Sequence, residues 1–134
     1  MNAVTLTEKF LGHVFAGEMD QALAMVAPDA HLIGSRPEPS SDNPIFGTHI
    51  GPNGARAFFT AFGEVIEPGE FNITDKFGTD TQACLYGQFR HKVRATGRPF
   101  PSDWALVTQV SSGKLVLYHF YEDTAALAEA MQPA

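Results

Sequence analysis

The sequence has little of what chemistry-bearing motifs are usually made of. Cys84 is its one cysteine among 134 residues, which excludes an intrachain disulfide and gives no sign of an oxidising compartment. Basic residues are few as well: nine Lys and Arg stand against fifteen Asp and Glu, for a formal charge of -6. A phosphate backbone is a poor partner for such a chain, because non-specific nucleic-acid binding needs a basic surface that releases counterions. The single basic run, Arg90, Lys92, Arg94 and Arg98, is interleaved with Phe89, His91 and Val93, as one face of a strand would be. No run approaches the roughly 18 apolar residues of a membrane span. The first residues also lack a basic segment followed by an apolar one, so a cytoplasmic protein without a membrane partner is expected. His13, His31 and His49 lack metal-ligand spacing, no glycine-rich nucleotide loop occurs, and no serine or cysteine sits in a nucleophile motif. Neither a metal nor a cofactor is expected.

What is present is apolar surface: 44% of residues are hydrophobic and 18% charged, enough for one core in a single soluble domain over residues 1–134. Thr5 and Glu8 have the spacing of a capping box, and Leu6, Phe10, Leu11, Val14 and Phe15 follow at helical spacing until Gly17. Asp20 is placed to cap a short second helix carrying Leu23 and Val26, closed by Pro28. Residues 30–34 read as a strand and residues 35–44 as a loop rich in proline and serine. A third helix presents Phe58, Ala61, Phe62 and Val65 on one face, and Pro68-Gly69 stops it.

From there the chain is strand. Residues 70–78, 81–95, 100–111 and 114–122 are divided by Thr79-Asp80, Thr96-Gly97-Arg98 and Ser112-Gly113, each suited to a hairpin turn. A closing helix over residues 125–131 is capped by Asp123 or Thr124. Helices first and a β-meander afterwards predict an α+β fold, with helices on one face of a curved antiparallel sheet. The last strand has no polar face: Leu115, Leu117, His119 and Tyr121 alternate with Val116, Tyr118, Phe120 and Glu122. An antiparallel sheet normally wets one face, so a second copy is expected against Leu115, Leu117, His119, Tyr121, Trp104 and Leu106, making a homodimer through the sheet.

Several phrases carry a family resemblance: Phe15-Ala16-Gly17-Glu18-Met19-Asp20-Gln21-Ala22-Leu23, Pro28-Asp29-Ala30, residues 47–54 leading into Phe58-Phe59, and residues 113–124. With the element order, they resemble the nuclear transport factor 2-like superfamily, in its SnoaL-like and ketosteroid isomerase-like branch. The resemblance implies a cone-shaped sheet enclosing a pocket for a small molecule, and a dimer through the sheet. It implies Phe10, Val14, Phe58, Phe62, Phe89, Val107, Tyr118 and Phe120 as ligand-binding residues, with the loop over residues 35–44 at the mouth. Catalytic residues of the relatives do not carry over. Phe10 and Gly34 stand where ketosteroid isomerases have their oxyanion tyrosine and their aspartate base, and Phe120 stands where the epoxide hydrolase pattern has an aspartate.

Hairpin arithmetic places the remaining polar groups. A two-residue Ser112-Gly113 turn pairs Asp103 with Glu122, and a three-residue Thr96 to Arg98 turn pairs His91 with Asp103. His91, Asp103 and Glu122 then form one row on the pocket face, able to exchange protons near neutral pH. This row is the catalytic candidate, with Asp103 as acid or base. An extra or missing turn residue breaks it, because a one-residue slip sends a side chain to the other face. Two functions follow: proton-transfer chemistry of isomerase, dehydratase, cyclase or hydrolase type on a small apolar metabolite, or a ligand-binding or dimerisation module without chemistry.

Overall fold

A computed structural model describes residues 2–133. Helix α1 (Ala3–Phe15) and the short α2 (Met19–Leu23) precede β1 (Val26–Gly34) and β2 (Gly47–Ile50). Helix α3 (Gly51–Val65) is followed by the meander β3 (Ile66–Gly78), β4 (Gln82–Val93), β5 (Pro99–Ser111) and β6 (Lys114–Glu122), and α4 (Thr124–Ala130) closes the chain. One six-stranded sheet has the order β2-β1-β6-β5-β4-β3. Only β1 and β6 run parallel; the other neighbours are antiparallel.

Local chemistry shifts several boundaries. Asn2, not Thr5, caps α1, its Oδ1 accepting the Thr5 N–H at 2.8 Å. Glu8 instead meets Lys76 Nζ at 2.6 Å. Glu18 occupies the N-cap of α2 and Asp20 lies inside it, paired to Arg56 at 3.0 Å. Val26 and Pro28 belong to β1, whose register against β6 shifts between Val26 and His31, the tolerance that irregular pairing gives a residue lacking N–H. Helix α3 ends at Val65, and β3 starts at the next residue.

The helices cover one face of the sheet, α1 packing on β3, β4 and β5 and α3 on β1. Strict alternation in β5 buries Phe100, Ser102, Trp104, Leu106, Thr108 and Val110 and leaves Asp103 exposed. The matching set on β4 is Ala83, Leu85, Gly87, Phe89, His91 and Val93. Phe10, Leu32, Leu85, Leu106, Phe100 and Leu115 are among the fully buried side chains of this core. A buried hydroxyl pair, Thr7 with Thr108 at 2.7 Å, pins α1 to the sheet.

Two register events correct the expected row. The β4–β5 hairpin closes on Val93 and Arg98, with Gly97 at φ +70°, so Lys92 faces Pro99 and Asp103 faces Gln88, not His91. The Ser112-Gly113 turn is as expected, but a bulge at Val116 lies between the Val110–Leu115 and Gln109–Leu117 pairs, so Trp104 faces Glu122. Both shifts are odd in residue count and each side chain alternates. They cancel for β4 against β6 and flip β5 alone. His91 and Glu122 share the inner face, while Asp103 and Val107 lie on the outer one. Trp104 and Leu106, expected outside, point inward with Leu115, which corrects half of the expected contact set.

Candidate functional site

A cavity of about 290 Å³ lies between the helices and the inner face. Phe58, Phe59 and Phe62 of α3 form its roof, Leu11, Val14, Phe15 and Met19 come from the α1–α2 corner, and Pro68, Phe71, Phe89, Tyr118 and Phe120 come from the sheet. The two polar side chains among these apolar ones are Glu122 and His91, with the Tyr118 hydroxyl as a third polar group.

Of the residues that the family resemblance implied as ligand-binding, Val14, Phe58, Phe62, Phe89, Tyr118 and Phe120 lie on the cavity wall. Phe10 sits one layer behind the wall, its ring 5.9 Å from Phe59 and 5.7 Å from Tyr118. Val107 is not part of the lining, because it pairs with His119 on the outer face. Nor does the loop over residues 35–44 border the cavity. It is tied down at the β1–β2 end, where Thr48 Oγ1 donates to the Pro37 carbonyl at 2.9 Å and Ile45 is buried. Sequence reasoning missed Leu11, Phe15, Met19, Phe59, Gly63, Pro68 and Phe71. Phe71 was not legible, because the expected Thr79-Asp80 turn pairs it with Gln88, whereas the hairpin closes on Gly78 and Ala83 and a register shift between Ile73 and Asp75 sets it opposite Phe89.

His91 owes its state to a bulge. Glu67 pairs with Lys92 and Glu70 with Arg90, so Pro68 and Gly69 together oppose His91. This turns the Gly69 N–H onto His91 Nδ1 at 2.9 Å. A Cβ on Gly69 would collide with the Arg90 carbonyl, so glycine alone fits. With Nδ1 accepting, the ring proton resides on Nε2. The imidazole stacks on Phe89 at 4.1 Å and meets the edge of Phe62 at 6.1 Å. Burial lowers its pKa from 6.5 to about 4, so at neutral pH it is an uncharged N–H donor. This departs from the expected row, in which His91 exchanges protons near neutral pH. Beyond the bulge an open groove of about 400 Å³ with Glu67, Glu70, Arg90 and Lys92 on its walls also touches His91. Its charged, open lining suits solvent better than an apolar ligand.

Glu122 lies at the end of β6, four residues beyond Tyr118 on the same face. Its Oε2 is buried and has no hydrogen-bond partner, and burial pushes the carboxyl pKa up from 4.5 to about 7. Burial first, and the Glu122 charge second, hold the Tyr118 hydroxyl far above its ordinary value. A carboxyl divided between acid and base forms, facing an aromatic cavity with a neutral imidazole donor, has the equipment of general acid–base catalysis. Among the described residues no cluster of three His, Cys, Asp or Glu is placed to hold a metal ion, and no helix is long and apolar enough to cross a membrane.

The profile of a family described as the SnoaL-like domain matches residues 7–118. Among solved structures, an NTF2-like protein from Burkholderia xenovorans LB400 is 26% identical, with 96% of this chain and 95% of that one covered and a TM-score of 0.84. An NTF2-like protein from Burkholderia thailandensis E264 is 22% identical over 99% of both chains, with a TM-score of 0.84. A protein from Xanthomonas campestris described as a candidate polyketide cyclase is 14% identical over 97% of this chain and 96% of its own, with a TM-score of 0.79. No curated protein matches the chain.

Proposed function

The chain belongs to the SnoaL-like domain family, and from that premise we propose that it is a cofactor-independent enzyme catalysing proton transfer on a small, mostly apolar metabolite. Glu122 is the acid and base. His91 donates its Nε2–H to an oxygen of the substrate, and the aromatic walls hold the apolar remainder by burial. The observation that carries this reading is the Glu122 carboxyl, buried against phenyl rings, unpaired at Oε2 and poised at about 7. A general base works best with a pKa near the operating pH. Asp103 has no part in it, being exposed on the outer face opposite Gln88.

The test is hydrogen–deuterium exchange α to the carbonyl of small cyclic and aryl ketones in heavy water, followed by NMR. The wild-type protein should accelerate exchange and Glu122→Gln should abolish it while ketone binding persists. Binding without exchange across the panel would instead establish the alternative, a ligand-binding module. That second reading draws on Gly34, where a side chain is excluded by the Ile45 carbonyl and Phe58, so the position that holds the base in ketosteroid isomerases is filled by core.

We further infer that the protein is a homodimer joined through the outer face of the sheet. That face carries Phe77, Cys84, Val107 and His119 in one cross-strand row and Tyr86, Ala105 and Tyr121 in the next. Phe77 is 60% exposed and Tyr121 43%, a contiguous apolar surface of the kind that marks an interface.

A further inference from the structure

We propose that Trp104 and Glu122 form a polar subsite for one hydroxyl-bearing oxygen, supplied either by a bound water or by a hydroxyl group of the ligand. The proposal rests on reading the cavity as a ligand site, and goes beyond it by naming the group that the Trp104–Glu122 pair recognises. Four buried side-chain atoms among the described residues lack a hydrogen-bond partner: Ser35 Oγ, His49 Nδ1, Trp104 Nε1 and Glu122 Oε2. The last two belong to residues directly opposed across β5 and β6. Side chains so paired have Cβ atoms roughly 4.5–5.5 Å apart on the same face.

The indole is held in place and has no other partner to seek. It stacks between Phe71 at 4.5 Å and 18° and Phe120 at 5.4 Å and 15°, and Trp104 pairs with Gly87 of the neighbouring strand. Phe71, Phe120 and Glu122 all line the cavity. Trp104 itself is 3% exposed.

Complementarity selects the guest. An indole N–H only donates, whereas a carboxyl accepts when ionised and donates when protonated. An O–H group satisfies both: its lone pair takes the indole hydrogen bond, and its proton or second lone pair meets Glu122. A ligand carboxylate would repel the ionised form of Glu122, so the guest oxygen is neutral. A buried polar group left without a partner is costly, and one oxygen relieves two.

Trp104 is the single tryptophan of the chain, so its indole N–H gives one NMR cross-peak that reports the subsite directly. The probes are phenol and toluene, rings of similar size that differ by a hydroxyl, and the decisive measurement is a pair of crystal structures, without ligand and with phenol. The expected result is an oxygen within hydrogen-bond reach of both Trp104 Nε1 and Glu122 in each crystal. If the phenol hydroxyl replaces it, the ligand is the source. Phenol should then shift the indole signal and bind about ten-fold tighter than toluene, a preference lost in Trp104→Phe, which keeps the ring stack. If the same oxygen stays beside bound or unbound phenol, water is the source and Trp104→Phe loses it. Crystals in which no oxygen bridges the two side chains, or in which Trp104 Nε1 bonds a protein atom, overturn the proposal. None of these readouts needs turnover, so a bridged subsite in a protein without exchange activity refutes only the enzymatic reading, and exchange without a bridge refutes only the subsite.

Discussion

The Glu122 carboxyl carries a stability cost that depends on pH. Its pKa is raised in the folded state, from 4.5 to about 7, so the native protein binds more protons than the unfolded chain across that window. Stability is lost as pH rises through it, by up to about 3 kcal/mol. His91 acts in the opposite sense. Its pKa falls from 6.5 to about 4, so the native state binds fewer protons there and stability is lost as pH falls through that window. The two slopes oppose each other where the windows overlap, leaving losses toward neutral and toward acid pH. Glu122→Gln should therefore gain urea midpoint over wild type at about pH 8 and much less at about pH 5; parallel pH dependence of the two proteins would show that the carboxyl is not desolvated. Asp103→Asn, exposed opposite Gln88, should leave exchange rates and stability within about 0.5 kcal/mol of wild type. A loss of activity in that variant, measured in the same ketone assay, would return Asp103 to the site.

At the scale of the element, two bulges do what no single residue does. The Pro68-Gly69 bulge in β3 aims a backbone N–H at His91, and the bulge at Val116 brings Glu122 opposite Trp104. Gly69→Ala meets the Arg90 carbonyl, and relieving that collision displaces the strand. We expect a loss of roughly 1–3 kcal/mol in urea unfolding, with the His91 titration midpoint moving up toward 6.5 as water reaches the ring. An unchanged midpoint by NMR would mean that the bulge does not govern the histidine.

For the whole molecule, the sheet has one face closed by helices and one that carries an exposed apolar patch around Phe77, Tyr86 and Tyr121. Leu117, half-buried and pairing with Gln109 and His31 on the outer face, lies within the proposed interface. Leu117→Asp should give a monomer by sedimentation, because it sets an unpaired charge in an apolar contact. A wild-type protein that sediments as a monomer at micromolar concentration would remove the dimer. Trp104 and Leu106 cannot serve in that contact, since both are core.

The sequence by itself determined the elements and their kind, because helix periodicity, strand alternation and the Gly and Pro punctuation are local. The meander and the closing helix capped by Asp123 follow from that alone, whereas the aromatic lining was what the family resemblance implied. It also placed His91, Glu122, Tyr118 and Phe120 on a common face, through two parity errors that cancelled. What the tertiary structure decided is parity itself. One unpaired residue at Val116 exchanges Asp103 for Trp104 beside Glu122, and one residue more in the β4–β5 turn exchanges Asp103 for Phe100 beside His91. Neither feature has a composition signal, because a bulge is set by how neighbouring strands twist and pack. The charge states belong to the structure for the same reason: desolvation depends on which rings surround a carboxyl or an imidazole, and those rings come from five separate elements, α1, α3, β3, β4 and β6.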